Sequence, residues 1–295
     1  MRKWFFRHAL VIAHKNIEHV IELSQLLRKQ FEVYIHIDKK CNVSGLQMNE
    51  LFNIGAHVYQ SVDVRWGGWS IAEAARILFR EALKNKEITY MHVISGEDYP
   101  VKPLKTIYEF YENNDQIYIQ CEPAEGSVKS GESQVLWQKY YFDYDKINRR
   151  TTFGKIYHRY TLLKQTLLHV DKFKELGVNL KLYQGANWMD IPRDAVSYFM
   201  DYFDEHENVR KLFMTGYCSD EFWIQTILKN SEFESRIDGD IHRYIKWEKQ
   251  YDNYPAVLDE REFPKIKAGN YQFARKFNPQ YSAALKRMID DELHL

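Results

Sequence analysis

Phe31-Glu32-Val33-Tyr34-Ile35-His36-Ile37-Asp38 decides the fold. Seven residues rich in β-branched and aromatic side chains form a strand-like run, and a carboxylate stands at its end. Upstream, Ala9-Leu10-Val11-Ile12-Ala13 reads as a buried strand. Ile17, Val20, Ile21, Ser24 and Leu27 then repeat at helical spacing. Downstream, 56–59 reads as a short strand, and Ser70 to Leu83 as a helix with Ser70 and Glu73 forming a capping box. Thr89 to Ile94 reads as a strand, Pro103 to Asn113 as a helix, and Gln116 to Gln120 as a fifth strand. Strand and helix alternate over the first 120 or so residues, which implies a parallel sheet with helices on both faces.

Ligands of such sheets bind beyond the carboxyl ends of the strands. The loops there are His14-Lys15-Asn16, Asp38-Lys39-Lys40, Arg65-Trp66-Gly67-Gly68-Trp69 and Ser95-Gly96-Glu97-Asp98, all polar or glycine-rich. The second half is less regular. Glu122 to Ser133 is a polar loop, His158 to Val170 and Pro192 to Phe203 read as helices, and Leu180 to Met189 as extended. Asp220 to Leu228 reads as a helix, Asp240 to Trp247 as a strand and Pro279 to Glu292 as a closing helix. Without repeats or an evident linker, the 295 residues are expected to form one domain.

Composition narrows the function. Lys+Arg and Asp+Glu are 41 each, so no global basic field favours nucleic acid. Cys41, Cys121 and Cys218 have neither metal-ligand nor disulfide-framework spacing, and a reducing compartment is the expectation. No stretch approaches the ~20 apolar residues of a membrane span. The Arg2, Lys3, Trp4, Phe5, Phe6, Arg7 cluster allows peripheral membrane contact at most.

Three short segments carry chemistry. In Cys218-Ser219-Asp220-Glu221-Phe222-Trp223, adjacent carboxylates precede an apolar helix, where an ionised Glu221 suits a general base. The ordinary alternative is helix capping, which fits Asp220 better than Glu221. In Phe273-Ala274-Arg275-Lys276-Phe277, two cations are anchored by apolar neighbours, which suits a diphosphate site, the ordinary alternative being a solvated basic pair. Asp38, at the end of its strand, can accept bonds from a uracil or a ribose, or is an exposed turn aspartate. The position after the fourth strand, where many nucleotide-sugar transferases hold a metal with Asp-x-Asp, has Glu97-Asp98 instead. Adjacent side chains diverge, so no metal is expected. Asp143-Tyr144-Asp145 keeps open a metal-dependent alternative, and a non-catalytic nucleotide- or glycan-binding module is the other.

In order and spacing these segments resemble the core-2/I-branching glycosyltransferases, the family that also holds the peptide xylosyltransferases. The similarity runs from about Ala9 to Phe277. It is carried by Val11-Ile12-Ala13-His14-Lys15, His36-Ile37-Asp38-Lys39-Lys40, Trp66-Gly67-Gly68-Trp69-Ser70, the stretch His92 to Lys102, Gly185-Ala186-Asn187-Trp188 and the two segments around Glu221 and Lys276. The resemblance implies a GT-A-type α/β fold with a Rossmann-like, mainly parallel sheet. Residues 1–121 would form the nucleotide-binding half and 122–295 the acceptor and catalytic half. It implies metal-free, inverting transfer from a UDP-sugar, most simply UDP-N-acetylglucosamine, to a glycan or lipid-linked glycan.

Glu221 would be the base. Ile12, Ala13, His14, Asp38, Arg65, Trp66, Arg275 and Lys276 would hold the donor, and Glu122, Asn187, Trp188 and Trp247 the acceptor. Animal members carry an additional diphosphate-binding arginine where this chain has Tyr254-Pro255-Ala256-Val257, which leaves Arg275 or Arg261 for that role. Those members also have disulfides and a membrane anchor. This sequence shows neither pattern, and the expectation is a bacterial form, cytoplasmic or peripheral at the inner face of the plasma membrane, building a surface polysaccharide.

Overall fold

The alternation read from the first half is present in the structure, a computed structural model that describes residues 7–13, 16–129 and 131–294. His14 and the basic–aromatic start at residues 2–6 lie outside the described residues. Seven strands pair in the order Ile237–Asp238, Ile117–Ile119, Met189–Pro192, Tyr90–Ser95, Arg7–Ala13, Phe31–Ile37, His57–Tyr59. The four on the His57 side run parallel.

The sequence reading expects the strands at Thr89 to Ile94 and Gln116 to Gln120 to belong to a parallel sheet, and here the structure differs. Met189–Pro192 lies between them, antiparallel to both, with Met189 opposite Val93 on one side and Ile119 on the other. The sheet is therefore mixed. A four-residue strand that ends in proline has no periodicity of its own, and only long-range pairing defines it.

Two cores follow from the pleat, since successive side chains on a strand point to opposite faces. Val33, Ile35, Ile37, Tyr90 and Ile94 pack with helices Ile17–Leu27, Leu104–Tyr111 and Ala283–Leu293. Tyr34, Met91 and Val93 face the other way, against Ser70–Leu83, Arg193–Glu205 and Trp223–Lys229. A small sheet positions the C-terminal segment. Phe273–Arg275 pairs in parallel with Arg243–Ile245 and antiparallel with Asp98–Pro100, which sets Arg275 opposite Asp98.

Ser70 does not cap its helix through its own side chain. Its hydroxyl accepts from the Arg65 amide at 2.7 Å, and Glu73 turns to Arg76 and the Trp69 indole. The amides of Trp69 and Ser70 donate instead to the Asp145 carboxylate, at 3.1 and 3.2 Å. A distant carboxylate thus does the work of a local cap.

Candidate functional site

Four segments far apart in sequence converge where the parallel strands end. Ile12 and Ala13 close the strand Arg7–Ala13, in register with His36 and Ile37 on one side, and Ile12 faces Ser95 on the other. Beyond Ile37, Asp38 is buried and accepts from the amides of Lys40 and Val64 at 3.0 and 3.2 Å, with the Lys40 ammonium at 3.2 Å. Asp38 thereby holds the 62–65 segment across the strand end. Arg65 there forms a two-pronged pair with Asp63. Trp66 is half exposed, edge-on to Tyr217 at 5.9 Å.

The turn Ser219–Glu221 is 3₁₀, not the start of the α-helix, which runs from Trp223 to Lys229. Capping does not account for Asp220: that helix has no side-chain cap, and Asp220 is buried. Asn187 donates to Asp220 Oδ2, while Oδ1 has no hydrogen-bond partner. Burial first, and the adjacent Glu221 carboxylate second, push the Asp220 acid up to about 7. Its neighbour is different. Glu221 keeps about a quarter of its side chain exposed, and Lys129 donates to Oε2 at 2.7 Å. Burial alone would lower the Lys129 ammonium, but the charge and hydrogen bond of Glu221 outweigh it and leave it raised. Two adjacent carboxyls are thus set apart, one buried and pushed up toward neutrality, the other partly exposed and paired with a lysine.

The acceptor candidates 185–188 thread between this turn and the sheet. Gly185 donates to the Glu221 carbonyl at 2.9 Å, and a β-carbon there would lie 1.8 Å from the Gln120 carbonyl oxygen, so only glycine fits. Trp188 then lies under the Arg275 guanidinium, 3.7 Å from its ring centre. Arg275 is itself buried, 3.0 Å from Asp98 and 3.8 Å from Glu97. Lys276, the next residue, is half-buried and strung between the 256–258 backbone and Phe277, whose amide donates to the Glu97 carbonyl.

Asn187 is thus tied to Asp220, next to Glu221, and Trp188 to Arg275. Glu122 is exposed one strand away, pairing with Gln184. Trp247 stands half exposed in the loop that returns at Ala256, with Tyr254 at 6.0 Å.

Residues the sequence reading did not single out complete the site. Gln138 bonds the Tyr217 carbonyl and Ser219 and so fixes the turn before Glu221. Lys129 sits in the hairpin Val128–Lys129/Glu132–Ser133, and its polar setting gives no signal in sequence. Beneath the sheet, Asp190 accepts from His92 at 2.9 Å, Tyr111 at 2.6 Å and both arms of Arg243, all fully buried. Burial would raise this acid, but Arg243 and His92 hold it well below the usual carboxylate range.

Three acids from the two stretches weighed for a metal in the sequence have protein partners. Asp145 is bound to two amides, Asp143 to Lys146 at 2.8 Å, and Asp98 to the Ser95 amide beside Arg275. Among the described residues, no three His, Cys, Asp or Glu side chains gather as a metal-binding group.

A mixed α/β sheet, the Asp220–Glu221 turn and a buried arginine on the neighbouring small sheet make up the candidate site. The family model of the core-2/I-branching enzymes matches residues 10–267, and the chain belongs to that family. It is similar to two β-glucuronosyltransferases of Arabidopsis thaliana, GlcAT14B and GlcAT14A. It is 27% identical to each, over 137 and 133 residues. The matches take in 45% and 44% of this chain but only 31% and 29% of those proteins. Among solved structures, HddC from Yersinia pseudotuberculosis aligns at 13% identity over 39% of this chain and 58% of that one, with a TM-score of 0.25, too low to carry an argument.

Proposed function

We propose that the chain is an inverting, metal-independent glycosyltransferase of GT-A type that moves a sugar from a UDP-sugar to a hydroxyl of an acceptor glycan. The observation that carries it is the Asp220–Glu221 pair. Burial pushes Asp220 up to about 7, while Glu221 beside it stays partly exposed, with its Oε2 occupied by Lys129. Oε1 is left to receive the acceptor proton. The acceptor oxygen bonds the anomeric carbon as the bond to the UDP oxygen breaks on the opposite face. The proton goes to Glu221 and the electron pair leaves with the diphosphate. Lys276 meets that charge. Arg275 lies against Asp98 and Glu97 and orders Trp188, so its charge compensates the acids at the position where related chemistry uses a metal.

N-acetylglucosamine is our first reading for the sugar. Glucuronic acid is the second, because the names of both plant relatives specify it. We place the reaction in assembly of a bacterial surface glycan at the inner face of the membrane. The test is UDP release with UDP-N-acetylglucosamine, UDP-glucuronate and UDP-xylose against a panel of glycan acceptors, with and without EDTA. Turnover unaffected by chelator is expected. Turnover lost in EDTA and restored by manganese overturns the metal-free reading, and binding without turnover for any donor overturns the enzyme.

A further inference from the structure

Helix Thr152–Leu167 is amphipathic the wrong way round. Its buried residues are Gly154, His158 and Gln165. Phe153, Ile156, Tyr160, Leu163 and Leu167 recur at steps of three and four and so form one stripe, and each is 60–69% exposed. The rotation of the helix is fixed from inside. A β-carbon on Gly154 would meet the Asn148 carbonyl oxygen at 2.0 Å, so the backbone packs directly there. His158 bonds Glu132 and Tyr144. Gln165 holds both the amide and the carbonyl of Tyr141, at 2.8 and 2.9 Å. The apolar stripe therefore faces outward by construction, and an exposed patch of this kind marks a binding surface.

Charge says what covers it. From residue 146 to residue 170 the chain has six cations and no acid. On the helix, exposed Lys155 and Arg159 border the stripe on one side and Lys164 on the other. Protein partners select against such lysine-rich margins, whereas anionic lipid headgroups over acyl chains complement them. Beside the stripe, Arg149, Arg150, Lys155 and Arg159 outnumber the single acid Glu132, which pairs with Arg149, in a pocket of about 350 Å³ that Trp66 and Tyr217 also line. Arg150 lies over Trp66 at 4.8 Å and Arg149 over Tyr217 at 4.4 Å. Among the described residues no helix is long and apolar enough to cross a membrane.

We infer that helix Thr152–Leu167 lies in the interface of an anionic lipid bilayer, its apolar stripe among the acyl chains and its flanking cations at the headgroups. Attachment of this kind brings the basic pocket to headgroup level and presents the Glu221 side of the molecule to membrane-borne glycans. It needs no donor and no turnover, so it stands or falls apart from the proposed reaction.

The test is co-sedimentation of the full chain with phosphatidylcholine vesicles, with and without phosphatidylglycerol. Binding is expected with phosphatidylglycerol, much weaker without it, and weaker again at high salt. The triple change Ile156→Gln, Leu163→Gln, Leu167→Gln should lower binding at least about tenfold while leaving the melting curve and turnover on a soluble acceptor unchanged. Lys155→Glu with Lys164→Glu, both at exposed positions, should lower it by about fivefold or more per residue, and stands in should the triple variant not fold. No binding to either vesicle, or undiminished binding by the charge variant, overturns the inference. So does light scattering that shows a dimer of the wild type, dispersed by the stripe changes, without vesicle binding.

Discussion

Asp190 and Asp220 are the same residue type, equally hidden from water, and in opposite states. Asp190 is met by Arg243, His92 and Tyr111 and stays ionised. Asp220 has one partner, Asn187, a bare oxygen and a carboxylate for a neighbour, and is pushed toward neutrality. The first joins the two central antiparallel strands to the small sheet. The second adjoins a partly exposed glutamate paired with Lys129. A buried acid whose every oxygen is answered is part of the scaffold. A buried acid left short of donors is where protonation can change under ordinary conditions. Arg275 and Lys276 repeat the contrast in cations, since the arginine is enclosed by acids and an indole and the lysine lies half-buried beside it.

The largest expected effect belongs to the unsaturated side. Glu221→Gln keeps the shape and removes the base, and transfer should fall by ~100- to 10,000-fold with UDP binding retained in calorimetry. A variant that keeps more than about a tenth of the wild-type rate removes Glu221 from the role.

On the scaffold side, Arg243→Met leaves the Asp190 charge buried without its main partner. It should cost about 3–5 kcal/mol in urea unfolding. A cost under about 1 kcal/mol means that His92 and Tyr111 suffice and that the two acids are less different than they look.

The acids can also be compared by pH. Asp220 is raised in the folded chain from 3.8 to about 7, so the folded state binds the extra proton. Its contribution to stability is full below pH ~4 and is lost as pH rises through about 7. Asp220→Asn cannot titrate. Its stability relative to wild type should climb across that window, by up to about 4 kcal/mol for about three units at ~1.4 kcal/mol each. A constant difference between variant and wild type from pH 4 to 8 means that Asp220 is ionised throughout.

Lys276→Ala should lose roughly 100-fold in kcat/KM for the donor, from ~3 kcal/mol for one preorganised contact to developing charge. Wild-type kinetics from a folded variant place the lysine on the structural side with Arg275.

Much of the scaffold was legible. Runs such as Phe31–Ile37 and Tyr90–Ser95 are long and apolar enough to announce themselves, and the alternation correctly gave helices on both faces. Helix Gly45–Asn53 was readable too, since Ser44 and Gln47 form a true capping box, but its weak apolar pattern hid it. The Ser70–Glu73 box had the same letters and is not one, because tertiary partners took both side chains.

The inserted strand Met189–Pro192 and the Asp190 cluster were not legible. Each exists only through pairings 50 to 100 residues away, and a lone aspartate in an apolar stretch does not name its partners. Within the site, the short segments around Glu221, Asn187 and Arg275 could be picked out. What they touch could not, and Lys129 and Gln138 came only with the fold. The helix read at His158 to Val170 runs Thr152–Leu167, and its outward stripe was not legible. Apolar spacing locates a helix face but does not say whether that face looks in or out.

The carboxylate of Asp145 bears on how the chain assembles. Helix Ser70–Leu83 obtains its N-terminal hydrogen-bond acceptor from 75 residues further along the chain. While the chain is being made, or when the 143–145 segment lifts away, the amides of Trp69 and Ser70 open to water although the rest of that helix is intact. Hydrogen exchange at these two amides will therefore follow the docking of the second half of the molecule and not the melting of the helix that they begin.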